Sequence, residues 1–235
     1  MKKDAKYGIL VGAAPLGAES KTLLNILQNK DCVSAAADGG LSFFMENRIA
    51  PDYWIGDGDS LGEERLKEAA KLFPDLSLTP CSPIKDDTDM RLGMEKLTES
   101  GVQTILLFGV FGGERLDHTI ANLQLMHEFA ARGFLPIGVE EKSFSLALRA
   151  GNTVQFGTEE EGVLSVFSLT PESLLSIRDL FYEYEGVLTN QRVVGVSNSF
   201  AGKGGSVCVK EGVALVVRNR LLTGLDDLPA ITVTR

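Results

Sequence analysis

The sequence predicts an α/β N-terminal domain, residues 1–145, with a parallel, Rossmann-like three-layer sheet, followed by an all-β C-terminal sandwich, residues 146–235. Three observations carry that reading. Up to about residue 140, short apolar runs alternate with helix-periodic stretches, the pattern of successive β-α units. Glycine- and carboxylate-rich turns stand where several of those runs end, which is where open α/β sheets hold ligands. From Phe144 onward the helical periodicity fades, and short β-type runs follow one another between Gly, Pro and Asn.

Composition narrows the function classes. The chain has 235 residues, 44% hydrophobic and 23% charged, with a net charge of −9. No apolar run approaches the roughly 20 residues that cross a bilayer, so a membrane role is not expected. Met1-Lys2-Lys3 ahead of Ile9-Leu10-Val11 imitates a secretory signal, but Asp4, Gly8, Gly12 and Pro15 interrupt it, and it reads as a first strand. Cys32, Cys81 and Cys208 are odd in number and far apart, which points away from a disulfide framework or zinc site and toward a reducing cytoplasm. The acidic balance disfavours nucleic acid as a partner, because such binding needs a basic surface to displace counterions. A small polyanionic substrate would need a metal or a few well-placed cations.

The elements follow in order. Residues 7–12 read as a buried strand, and Ser20 as the cap of a helix with Leu23, Leu24 and Leu27 on one face. The stretch from Gly12 to Gly17 imitates a P-loop, yet Ala18 and Glu19 occupy the positions of its Lys and Ser/Thr, so the P-loop is rejected. Residues 32–37 form a second strand, ending in Asp38-Gly39-Gly40 before a helix over 41–47. Such a turn presents free N–H groups to an anion, although plain turn geometry accounts for the same residues.

Residues 51–60, Pro-Asp-Tyr-Trp-Ile-Gly-Asp-Gly-Asp-Ser, run an apolar strand into paired carboxylates. Side chains two apart on extended backbone point the same way, so Asp57 and Asp59 should face one point in space. Held that close they repel unless a cation lies between them, and hard oxygen ligands suit Mg²⁺. An acidic turn is the bland alternative. A helix over 63–73 and a strand over 76–79 lead to Lys85-Asp86-Asp87-Thr88-Asp89, just ahead of a helix over 90–97. Capping uses one or two acids at a helix start; three beside a lysine exceed that need. A strand over 102–108 runs into a Gly-rich loop carrying Arg115, Asp117 and His118, then a helix over 119–131 and a strand over 135–139. Arg115 is the natural clamp for phosphate oxygens. Six β-type runs follow, at 144–148, 153–156, 163–169, 206–210, 213–217 and 231–233, with the polar loop of Ser197 and Asn198 between them.

Taken in this order, Asp38-Gly39-Gly40, Gly56-Asp57-Gly58-Asp59-Ser60, Lys85-Asp86-Asp87-Thr88-Asp89, Gly112-Gly113 with Arg115, Asp117, His118 and Asn122, and Ser197-Asn198 resemble the thiamine pyrophosphokinase (thiamine diphosphokinase) family. The resemblance implies an ATP- and Mg²⁺-binding catalytic α/β domain and a thiamine-binding, dimerising sandwich. It further implies a homodimer and transfer of a pyrophosphoryl group from ATP to the hydroxyethyl oxygen of thiamine, leaving AMP. On that reading Asp57, Asp59, Asp86 and Asp89 are catalytic, with Asp57, Asp59 and Asp89 on the metal. Asp38, Gly39, Lys85, Thr88, Arg115, Asp117, His118 and Asn122 contact ATP, and Ser197 and Asn198 contact thiamine. Active sites shared between the two chains of the dimer are expected, because the catalytic-looking residues and the leftover polar loop fall in different domains.

The chain departs from the family pattern in three places: Gly58 stands where a bulky residue is usual, and Ile84 precedes Lys85 where an acid is common. The animal enzymes stack thiamine on a C-terminal-domain tryptophan, whereas the single tryptophan here is Trp54; Tyr182 is an aromatic that could contribute instead. Two other classes stay open, a metal-dependent nucleotide phosphohydrolase and a non-catalytic nucleotide or thiamine sensor.

Overall fold

Five short apolar runs of the first half align as parallel strands. In the computed structural model, which describes residues 5–29, 31–80, 87–192 and 194–233, they are β1 (Tyr7–Val11), β2 (Cys32–Ala37), β3 (Tyr53–Gly56), β4 (Ser77–Pro80) and β5 (Thr104–Phe108). Their order is β5-β1-β2-β3-β4, with every neighbouring pair parallel. Ile9, Leu10, Leu106 and Phe108 are wholly buried, as continuous apolar runs are when both faces of a parallel strand are covered. Between and after the strands come α1 (Glu19–Leu27), α2 (Leu41–Asn47), α3 (Gly62–Leu72), α4 (Asp89–Thr98) and α5 (Leu116–Ala131). α4 packs on β1, β2 and β3, and Gly93 permits the approach, since a Cβ there would stand 2.7 Å from Leu10 Cδ1. The chain divides into two compact units, 1–122 and 123–235.

The second unit is β-rich. Its strands are β6 (Leu135–Val139), β7 (Phe144–Arg149), β8 (Asn152–Phe156), β9 (Val163–Ser168), β10 (Glu172–Arg178), β11 (Tyr184–Thr189), β12 (Asn198–Ser199), β13 (Gly205–Glu211), β14 (Val213–Arg218) and β15 (Ala230–Val233). They form two arrays, β6-β7-β14-β9-β12 and β11-β10-β13-β8-β15, in which neighbours run antiparallel. The arrays meet where β13 approaches β7 and β11 approaches β9. The chain is thus mixed α/β with a separate antiparallel sheet. Among the described residues no helix is long and apolar enough to cross a membrane.

A clasp of charges closes one corner of this unit. Arg218, 1% exposed, donates to Glu160 Oε2 through Nη2 at 2.7 Å and to Val163 O through Nη1 at 3.0 Å. Arg220 donates to Glu160 Oε1 at 2.8 Å and to Asp227 Oδ2 at 2.6 Å, and Asp227 also accepts from Thr223 N at 3.0 Å. The ends of β9 and β14 and the turn Leu225–Asp227 are tied together by these bonds.

Three local expectations are corrected. α1 starts at Glu19 with no side-chain cap, because the Ser20 hydroxyl donates back to Gly17 O at 2.7 Å. α5 begins at Leu116, three residues before the expected start, which brings Asp117 and His118 into its first turn. β6 does not extend the β-α alternation but pairs antiparallel with β7, since the four residues between them suffice for a hairpin and not for a crossover.

Candidate active site

β2 and β3 are parallel neighbours, so the turns that follow them emerge at the same edge. β2 runs into Asp38, at φ 46, a left-handed conformation that Asp tolerates better than most residues. Gly40 completes the turn in a place no side chain could occupy, because a Cβ would fall 2.1 Å from Val11 O. β3 runs into Asp57-Gly58-Asp59. Gly58 sits at φ 82, and a Cβ there would strike Leu66 Cδ1 at 2.4 Å, so Leu66 takes the space that a larger residue at this position would need.

The two turns bring three carboxylates together: Asp38, Asp57 and Asp59 each place an oxygen within 4.8 Å of the others. Asp59 N donates to Asp57 Oδ1 at 3.1 Å, and the indole N–H of Trp54 donates to Asp38 O at 3.1 Å. Ser60 Oγ donates to Asp38 Oδ2 and lies 3.2 Å from Asp59 Oδ1. Asp38 Oδ1 is buried and has no hydrogen-bond partner among the described residues. Burial raises the proton affinity of the Asp38 carboxyl, and the charges of Asp89 and Asp59 add to that, against the opposing hydrogen bonds from Ser60 and Gly39. Three carboxylates held this close repel unless a cation lies between them, and a hard divalent ion matches the donor set.

The remaining predicted residues take distinct places. Asp89, in the first turn of α4, acts on Asp38 through its charge. Thr88 caps α4, its hydroxyl accepting from Arg91 N at 3.2 Å. Lys85 and Asp86 lie outside the described residues. Gly39 lies in the turn beside Asp38. Arg115, at the end of an exposed loop, grips Asp117 in the first turn of α5 through two bonds, Nε at 2.9 Å and Nη2 at 2.6 Å. That grip lowers the Asp117 carboxyl to about 2. His118 is exposed, and its backbone N–H donates to Arg115 O at 3.2 Å. Asn122 is buried and donates to Val110 O at 2.6 Å, anchoring the start of the Gly-rich loop to α5.

In the second unit, Ser197 adopts φ 57 and donates its N–H to Ser165 Oγ at 3.0 Å. The Asn198 side chain spans the Tyr182 backbone, accepting from Tyr182 N at 2.9 Å and donating to Tyr182 O at 2.7 Å. It thereby fixes a turn that presents Phe181 and Tyr182, each 67% exposed, with ring centroids 4.8 Å apart.

The chain is similar to known proteins in sequence and in fold. Residues 24–135 match the family model for the thiamin pyrophosphokinase catalytic domain. The thiamine pyrophosphokinase of Bacillus subtilis (strain 168) is 32% identical over 91 residues, a match spanning 39% of this chain and 41% of that relative. The crystal structure of the thiamine pyrophosphokinase from Bacillus subtilis superposes with a TM-score of 0.78 at 20% identity, covering 92% of this chain and 100% of that one. Those from Geobacillus thermodenitrificans (TM-score 0.76, 24% identity, 91% and 97% covered) and yeast (0.69, 17%, 94% and 87%) share the fold as well. By the sequence of its residues 24–135 this chain is similar to the thiamin pyrophosphokinase catalytic domain, and it shares its fold with solved thiamine pyrophosphokinases.

Proposed function

We propose that the protein transfers a pyrophosphoryl group from ATP to thiamine, giving thiamine diphosphate and AMP, with Mg²⁺ as the metal, and that it does so as a cytoplasmic homodimer. The observation that carries the reading is the convergence of Asp38, Asp57 and Asp59, with one buried oxygen unsatisfied among the described residues, inside the stretch that matches the catalytic-domain model. Asp57, Asp59 and Asp89, joined by Asp38, would hold the ion, which supplies charge neutralisation across the bound phosphates.

Lys85 and Arg115 balance the remaining phosphate charge, and Gly39, Thr88, Asp117, His118 and Asn122 frame the nucleotide. The hydroxyethyl oxygen of thiamine attacks the β-phosphorus, and the bond from that phosphorus to the α–β bridging oxygen breaks. AMP leaves with the bridging oxygen, while the hydroxyl proton passes to a carboxylate of the Asp86–Asp89 segment. An acidic site also draws in the cationic thiazolium ring. In this reading residues 1–145 are a Rossmann-like three-layer catalytic domain, and residues 146–235 are the sandwich that binds thiamine through the Ser197–Asn198 segment and forms the dimer. Each active site is built from two chains.

The test is an assay of purified protein with ATP, Mg²⁺ and thiamine, following products by chromatography. AMP and thiamine diphosphate should appear in equal amounts. ADP with thiamine monophosphate, or phosphate release without an acceptor, overturns the reading.

A further inference from the structure

Ser60 is not among the ligands named above, yet it reaches two of them. Its hydroxyl donates to Asp38 Oδ2 and lies 3.2 Å from Asp59 Oδ1. The chain brings it there because β3 ends at Gly56, the next residues turn through the positive φ of Gly58, and Gly62 N donates to Gly58 O at 2.9 Å just ahead of α3. The bond from Ser60 to Asp38 is thus a tie between the turns that follow β3 and β2.

That tie acts on the carboxylate and not on the backbone beneath it. The backbone of Asp38 is held independently: the Trp54 indole donates to Asp38 O at 3.1 Å, and Gly56 lets β3 come so close that a Cβ there would stand 3.0 Å from Asp38 Cα. What Ser60 adds is a distinction between two oxygens. Oδ2 accepts the hydroxyl bond, whereas Oδ1 is buried and has no hydrogen-bond partner among the described residues. A serine hydroxyl carries one proton and no charge, so it occupies one oxygen and leaves the negative charge of the group to be balanced elsewhere.

How many oxygens a carboxylate offers helps to separate the common hard divalent ions. Mg²⁺ demands a near-ideal octahedron with short bonds, which the narrow bite of a two-oxygen carboxylate distorts, while Ca²⁺ takes a larger, looser shell and accepts a carboxylate through one oxygen or both. We propose that Ser60 is a specificity-determining residue for the metal: by occupying Asp38 Oδ2 it confines Asp38 to a single oxygen toward the ion and so favours Mg²⁺ over Ca²⁺. The proposal rests on the carboxylate cluster holding a divalent cation, as read above.

Calorimetric titration of MgCl₂ and of CaCl₂ into the purified protein gives the ratio of the two affinities in wild type, Ser60→Ala and Ser60→Thr. Ser60 is exposed, so losing its hydroxyl opens no cavity, and the far-ultraviolet spectrum should be the same in all three. Ser60→Ala should shift the ratio toward Ca²⁺ by about tenfold, the lower end of what partners of metal ligands contribute, through weaker Mg²⁺ binding and equal or tighter Ca²⁺ binding. Ser60→Thr keeps the hydroxyl and should restore the wild-type ratio. In turnover, added Ca²⁺ should inhibit Ser60→Ala at lower concentration than wild type. A merely structural role would weaken both ions alike, so equal losses in Ser60→Ala, or no change in either ion, overturn the proposal and leave the cation site standing. A Ser60→Thr ratio that follows Ser60→Ala does the same. A wild type that binds neither ion refutes the cation reading itself, and the proposal with it.

Discussion

Asp38 holds its charge where solvation is poor and two other carboxylates are close. Its proton affinity is raised in the fold, first by burial, so more protons are bound folded than unfolded as pH climbs through the ordinary Asp range, and stability falls over that window. Asp38→Asn removes the charge and keeps a residue that tolerates the left-handed turn. In metal-free buffer it should raise stability by about 1 kcal/mol, the usual trade at a functional site; Mg²⁺ should raise the melting temperature of the wild type and leave that of the variant unchanged. Scanning calorimetry with and without Mg²⁺ checks both. Asp57→Asn and Asp59→Asn should each remove most turnover with the far-ultraviolet spectrum unchanged; near-normal rates at ordinary Mg²⁺ would sink the ligand assignment. Asp57 and Asp59 do converge, but through the turn at Gly58, φ 82, and not along the extended backbone that their two-residue spacing suggests. That Asp38 completes the set was not legible in the sequence, since it depends on β2 and β3 being neighbours, and strand order is not written in local pattern. Nor were the anchoring bonds of Asn122 and Asn198, whose partners lie 12 and 16 residues away.

Among the elements, the clasp of Glu160, Arg218, Arg220 and Asp227 sets a pH limit of its own. Burial pushes the Glu160 carboxyl up, but the bonds from Arg220 and Arg218 outweigh it and the net direction is down; Asp227 is lowered in the same way against its burial. Folded values below the unfolded ones mean stability that is present above the ordinary carboxylate range and lost as pH falls through the folded values. Glu160→Gln leaves Arg218 buried against a neutral group, so at pH 7 it should cost about 3 kcal/mol or more by urea denaturation. The same variant should lose less stability than wild type between pH 6 and 3, and parallel acid limbs would contradict the clasp. Legibility differed among elements for physical reasons. α2 was read to its ends, because a glycine turn opens it and its apolar residues keep helical spacing. β10 and β11 were missed: Ser173 and Ser176 in one, and Glu185 with Gly186 in the other, replace the apolar and β-branched residues that mark a strand.

For the molecule as a whole, the mixed α/β class was legible from the change of texture near Phe144, since hydrophobic periodicity survives without knowledge of packing. Assembly is the property to be tested at this scale. If each site draws on two chains, co-refolding Asp57→Asn with Asn198→Ala, each inactive alone, should make half the dimers mixed, each with one intact site, and recover about one quarter of wild-type activity. A zero from demonstrably mixed dimers would rule out shared sites and leave the transfer reaction untouched. Asn198→Ala suits this test, because the side chain it removes holds the Phe181–Tyr182 turn within its own unit.

The bond from the Trp54 indole to the Asp38 carbonyl gives the protein an optical gauge of the turn that carries Asp38. Trp54 is the chain's single tryptophan and is 3% exposed, so intrinsic fluorescence excited at the indole comes from one fixed spot, hydrogen-bonded at 3.1 Å to a residue of the carboxylate cluster. Titrating Mg²⁺ into the protein should shift or quench that emission along a saturable curve, and Asp38→Asn should flatten the curve. Occupancy of the site thereby becomes readable in real time, with no label and no substrate.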